Sequence, residues 1–284
     1  MAIILALYSA FAYGLSDFVG GLVSRRVSAW PVAVVGQLSA TVCTALVAAF
    51  VTGSPTGQDF AWALLAGVGS GVGTGFLYRG FASGRMSVVA PVSAVGAAVV
   101  PVFAGFVGGE RLSFVVWAGI ALALPGIWLV SSTAEELPPD GPPPSRASLA
   151  EGVVDGILAG LGFGVLFAAL GQVPEEAGLW PLALAQAVSL PAVVLLATLL
   201  RAGWLPRHRY TWWALLAGPL GATATGAFLL ATQGGYLTVA GILASLYPAT
   251  TVVLAALVLH EKVHRAQGVG LGLCATAIAL VAGG

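Results

Sequence analysis

The chain has 284 residues, 58% of them hydrophobic and 8% charged, and its 11 basic and 11 acidic side chains give a formal net charge of zero. A soluble domain carries about 25% charged residues, so neither a water-soluble globule nor a disordered chain fits this composition. Balanced charge leaves no basic surface for nucleic acid, and the remaining class is a polytopic integral membrane protein whose first partner is the lipid bilayer.

Apolar runs of about 20 residues cross a hydrocarbon core of about 30 Å. In chain order they fall at 2–23, 31–52, 60–81, 88–107 and 114–131, then at 152–171, 179–200, 212–232, 239–259 and 266–282. The first follows Met1 with no basic leader, so it reads as a membrane span rather than a cleaved signal peptide. Each run is apolar all round, as expected where lipid and neighbouring helices are both apolar. The short alternating segments of a β-barrel are not seen. The expected fold class is an all-α membrane protein with ten transmembrane helices. Cys43 and Cys274 sit singly in apolar runs and read as packing residues, not as a disulfide or metal framework.

Residues 133–150 interrupt the pattern with Glu135, Glu136, Asp140, Arg146 and five prolines, Pro138, Pro139, Pro142, Pro143 and Pro144. Such a stretch is a polar, proline-stiffened linker. It divides the chain into a first five-helix repeat (1–132) and a second (151–284). The halves match each other at a shift of about 150 residues. Trp62-Ala63-Leu64-Leu65-Ala66-Gly67 recurs as Trp213-Ala214-Leu215-Leu216-Ala217-Gly218. Thr74-Gly75 meets Thr225-Gly226, Gly84 meets Gly235, Val88 meets Val239, Glu110 meets Glu261, and Trp30-Pro31 meets Trp180-Pro181. Five spans is an odd number, so the second half enters the membrane from the opposite side. The halves are expected to form an inverted-topology repeat, an architecture that recurs in secondary transporters. Glycines at Gly67, Gly71 and Gly75, at Gly156, Gly160 and Gly164, and at Gly268 and Gly272 have the spacing of close helix–helix faces.

Positive charge marks the cytoplasmic loops. Loops after odd-numbered spans, with their helix ends, carry Arg25, Arg26, Arg79, Arg85, Arg146, Arg201, Arg207, Arg209, Lys262 and Arg265, whereas the other side carries Arg111. This bias places the linker inside and both termini outside.

An ionised group at membrane depth costs about 2.5–3.5 kcal/mol on insertion scales and so needs a reason to be there. Asp17 is the clearest case, with Tyr13 one helical turn before it on the same face. It reads as a proton or cation site, or as an interfacial acid paired with Arg25 or Arg26. Asp155 is the second candidate for such a site, or, as a first-turn acid, complements its helix dipole. Polar candidates for lining a cavity are Gln37, Tyr78, Arg79, Gln186, Gln233 and Tyr247. Beside Tyr247, Pro248 interrupts the ninth span and frees a backbone carbonyl. Each glutamine serves equally as an interhelical hydrogen-bonding group. Glu110 with Arg111, and Glu261 with Lys262, read as structural caps or gate ion pairs. His260 and His264 flank a basic loop without a third ligand, so no metal site is expected. No phosphate-binding Gly-x-x-x-x-Gly-Lys-Ser/Thr loop and no catalytic triad motif occurs, so neither a nucleotide cofactor nor an enzymatic activity is expected.

Two segments complete the pattern. Gly84-Arg85-Met86-Ser87-Val88-Val89-Ala90-Pro91 leads on to Pro101 and Gly109-Glu110-Arg111-Leu112. Gly235-Tyr236-Leu237-Thr238-Val239-Ala240 leads on to Ser245-Leu246-Tyr247-Pro248 and Glu261-Lys262-Val263, with Ala97 standing in the first half where Pro248 stands in the second. With its two five-helix halves, the chain resembles the EamA type of the drug/metabolite transporter superfamily. The resemblance implies a ten-helix secondary transporter in a bacterial plasma membrane. It implies export of small organic solutes such as amino acids, metabolites or drugs. Many such transporters have both termini inside, opposite to the charge count. Protons are an expected coupling ion, and one chain holding both repeats can work as a monomer or a homodimer. A flippase for lipid-linked or amphipathic substrates and a non-transporting scaffold subunit are the alternatives.

Overall fold

A computed structural model describes residues 1–24, 26–82, 86–132, 146–258, 260 and 263–284. Among these residues there is no strand, and eleven α-helices follow in order. They are α1 (Ala2–Ser24), α2 (Ala29–Ala48), α3 (Gly57–Ala82), α4 (Met86–Val107), α5 (Phe114–Ser131) and α6 (Arg146–Leu170), then α7 (Trp180–Leu199), α8 (Ala217–Gln233), α9 (Leu237–Ala244), α10 (Tyr247–Val258) and α11 (Arg265–Gly283). A 3₁₀ stretch, Arg209–Leu216, runs into α8, and α9 with α10 makes one interrupted span. The result is ten helical stretches long and apolar enough to cross a membrane. The chain is an all-α, multi-pass integral membrane protein. Its outer surface is apolar, with Leu199 and Leu257 each 70% exposed, which suits lipid rather than water.

The break in the ninth span has a local cause. Pro248 has no N–H to give to the carbonyl four residues before it. The chain turns instead through tighter i→i+3 bonds, Leu246 N–H to the Leu243 carbonyl at 3.2 Å and Ala249 N–H to the Leu246 carbonyl at 2.9 Å. In the first half Ala97 stands at the matching place, and α4 continues unbroken between Pro91 and Pro101.

The halves interlock instead of standing side by side. Helix α1 packs mainly on α8, α9 and α10, and its repeat counterpart α6 packs on α3 and α4. Helices α2 and α7 pair with each other, as do α5 and α11. Exchanging the halves reproduces the same pairings, as an inverted repeat requires.

Missing side chains let these helices approach. A Cβ at Gly67 would lie 2.5 Å from the Ala185 carbonyl oxygen and one at Gly71 2.9 Å from that of Ser189, so this face of α3 meets α7. Gly69 on the same helix meets the Gly162 carbonyl of α6. A Cβ at Gly160 would lie 2.9 Å from the Gly96 Cα, where α6 crosses α4. At Gly268 and Gly272, by contrast, no described atom comes within 4 Å of an added Cβ. Gly270, one register over, meets Val130 of α5. Gly160→Val should therefore cost about 1–3 kcal/mol through overpacking. Gly268→Val should leave the unfolding midpoint in detergent nearly unchanged, and equal midpoints for the two variants would contradict this packing.

Candidate functional site

A cavity of about 130 Å³ lies between the halves. Helix α1 supplies Tyr13, Ser16, Asp17 and Gly20, and α2 supplies Gln37. Helix α3 adds Ser70, Thr74 and Tyr78, α7 adds Gln186, α8 adds Thr225, and Tyr247 projects from the start of α10. Six positions singled out from sequence thus meet here: Tyr13, Asp17, Gln37, Tyr78, Gln186 and Tyr247.

Asp17 is exposed to the open space and makes no ion pair or hydrogen bond among the described residues. Arg26, a proposed partner, instead lies 5.3 Å over the Tyr210 ring. Arg25, the other, falls outside the described residues. Around the acid the lining is fixed by hydrogen bonds between elements. Tyr13 Oη and Thr225 Oγ1 are 2.8 Å apart, and Gln37 Nε2 donates to Thr74 Oγ1 at 3.4 Å. Ser16 Oγ donates to the Ala217 carbonyl at 3.0 Å. Tyr13 also stacks edge-on against Phe167 at 5.8 Å and leans on Tyr247 at 6.3 Å, so its ring holds one orientation.

Sequence reasoning missed Ser16, Ser70, Thr74, Thr225, Phe163 and Phe167 as lining residues. The repeat was the available signal. Thr74 and Thr225 are repeat equivalents, and each holds a lining side chain. At a shift of 150, Tyr13, Ser16 and Asp17 correspond to Phe163, Leu166 and Phe167, which line the opposite wall. The cavity lining is pseudo-symmetric in position and asymmetric in chemistry, with a carboxylate at 17 where the repeat equivalent at 167 has an aromatic ring.

Two sequence candidates lie elsewhere. Arg79 points away from the cavity, where its Nη2 meets Asp155 Oδ1 at 2.8 Å across α3 and α6. Asp155 is correspondingly not a first-turn acid. Helix α6 begins at Arg146, six residues earlier than the apolar run, so Asp155 is well inside the helix and fully buried. Gln233 ends α8 and donates to the carbonyls of Val173 (3.3 Å) and Pro174 (3.2 Å), tying two loops together.

Glu110 accepts from the backbone N–H of Leu237 at 2.5 Å and of Thr238 at 3.0 Å, so it caps the N-terminus of α9 in the other half. Gly105 leaves the room, since a Cβ there would collide with the Glu110 carboxylate. Arg111 is exposed at the rim nearby. Glu261 and Lys262 lie outside the described residues, and His264 begins α11 with its N–H donated to Gln267 Oε1 at 3.1 Å. No cluster of three metal-ligating side chains occurs among the described residues.

The two ends of the bundle differ. At the end holding the termini, Glu110 caps α9, Gln233 ties α8 to the loop before α7, and Ser54 N–H donates to the Glu176 carbonyl at 2.7 Å. Each tie joins one half to the other or one loop to the next at that end. The cavity is displaced toward the opposite end, where α5 stops and α6 starts. Its lining reaches Gly20, Val32, Tyr78 and Ala217, all near that end of their helices. Glu110→Ala should remove the cap at a cost of about 1 kcal/mol, read as a lower unfolding midpoint. An unchanged midpoint would show that the cap does not hold that end.

Comparison with known proteins agrees with this architecture. No curated protein matches the chain in sequence. A solved crystal structure of a protein matches with a TM-score of 0.75 over 98% of this chain and 95% of that one, at 14% identity, which is a likeness of fold. The sequence profile of the EamA-like transporter family matches residues 1–132 and again 150–283, the two interlocked halves that enclose the cavity. The chain therefore belongs to the EamA-like transporter family, and is a membrane transporter of small solutes.

Proposed function

We propose that this protein is a secondary active transporter that exports small organic solutes by alternating access, with Asp17 as the coupling group. The supporting observation is the unpaired Asp17 carboxylate in a cavity walled by both inverted halves. An acid held at membrane depth without a partner is costly unless a proton or a cation occupies it in turn. Inverted halves have two packings of similar energy, related by exchange of their roles. The packing described has one end tied by hydrogen bonds between loops and halves and the cavity shifted to the other, as one state of such a cycle would. The titratable groups that share the cavity with Asp17 are Tyr13, Tyr78 and Tyr247, each neutral at physiological pH. Arg79 is engaged with Asp155, and Arg26 with Tyr210.

Orientation follows the positive-inside rule, with the linker end in the cytoplasm of a bacterial cell and the described state open inward. Both halves sit in one chain, so a monomer suffices for the cycle. Reconstitution tests the proposal. Vesicles carrying the protein should show solute flux that depends on an imposed pH gradient, whereas empty vesicles should not. Solute-independent behaviour across a panel of amines, amino acids, sugars and nucleosides would overturn it.

A further inference from the structure

The chemistry of the cavity wall narrows the solute. Among the described lining residues Asp17 is the one ionised side chain, and no Lys, Arg or His joins it. Five aromatic rings complete the wall: Tyr13, Tyr78, Phe163, Phe167 and Tyr247. Two are held in place, Tyr13 by Thr225 and by its edge-on contact with Phe167, and Phe167 by Phe228 at 4.5 Å.

We infer that the cavity binds a monovalent organic cation, an amine or quaternary ammonium with a small apolar body, with its charge on Asp17 and its body among the five rings. This rests on the transport reading above and names its substrate class. A cation beside a carboxylate and over ring faces gains from both at once, and more strongly where water is excluded. An anion would meet Asp17 with no opposing charge among the described lining residues. A zwitterion could place its ammonium on Asp17, but its carboxylate would find no cationic side chain. At the break in the ninth span the Leu246 and Ala249 N–H groups are satisfied at Leu243 and Leu246, and Pro248 has none. Of the described guanidiniums near lining residues in sequence, Arg79 meets Asp155 and Arg26 lies over Tyr210.

Binding of four one-ring probes to the purified full-length protein tests the assignment. They are benzyltrimethylammonium, benzyl alcohol, phenylalanine and benzoate, followed by the shift in unfolding midpoint against concentration. The ammonium should stabilise saturably and bind at least about tenfold more tightly than the neutral alcohol, with no saturable shift from benzoate or phenylalanine. Asp17→Asn should weaken the ammonium at least about tenfold and leave the alcohol unchanged. If that variant does not fold, the ranking of the four probes on the unaltered protein decides alone. Saturable binding of phenylalanine or benzoate without the ammonium overturns the assignment and leaves the transport reading standing. Ammonium binding with no flux in vesicles upholds the site and overturns transport. No ammonium binding at all overturns the assignment.

Discussion

Asp17→Asn is expected to abolish pH-gradient-driven accumulation, while solute exchange across the membrane persists once the solute concentration is raised to offset the weaker binding. One pH unit supplies about 1.4 kcal/mol per proton, enough for about a tenfold concentration ratio of solute. The variant should therefore fall from about tenfold accumulation to none under that gradient. The amide keeps the shape and polarity of the side chain but neither binds nor releases a proton near neutral pH. Exchange of labelled for unlabelled solute needs the two packings of the halves but no net proton movement, so it should persist at solute concentrations about tenfold higher. Loss of exchange together with accumulation would point to a failed fold or binding site. Unchanged pH dependence in the variant would remove Asp17 from coupling.

The largest stability effect is expected at Arg79. Asp155 is fully buried at membrane depth, whereas the Arg79 side chain is 34% exposed. Arg79→Ala takes the guanidinium from a buried carboxylate and should cost about 3–5 kcal/mol. Asp155→Ala leaves behind a guanidinium that already reaches solvent, so it should cost clearly less. Replacing both with leucine should recover most of the loss, since a buried ion pair rarely outperforms well-packed apolar side chains. Unfolding midpoints in detergent measure all three. Equal losses for the two single variants would contradict the asymmetric burial.

Much of the architecture was legible because lipid imposes a simple rule. Nearly every apolar run of the right length became a span within a few residues of its expected bounds, and Pro248 marked the interrupted one. Asp17 stood out because a lone acid in an apolar run is costly wherever it points. Arg79 and Asp155 were misread for a shared reason. Each lies near an apparent span end, where Arg79 read as a cavity-lining residue and Asp155 as a dipole acid, but α6 starts six residues before the apolar run and carries Asp155 inward. Their contact joins opposite halves, and no local pattern reports that. Gln233 was misplaced because a glutamine at a span end can face a cavity or a loop equally well, and the loop carbonyls of Val173 and Pro174 decided it. Glu110 as a cap was one of two sequence readings, and the position of α9 from the other half selects it.

Access to the cavity from each side of the membrane is the most direct test of a single central site reached in turn from both ends. Gln37→Cys, with Cys43 and Cys274 both replaced by alanine, places one thiol on the cavity wall. Its reaction with an impermeant maleimide can be followed in vesicles of either orientation. The thiol should react from both sides, faster from the linker end, and Glu110→Ala should raise the rate from the terminal end about fivefold, the shift expected from a cap worth about 1 kcal/mol. Reaction from one side alone, unaffected by Glu110→Ala, would contradict alternating access.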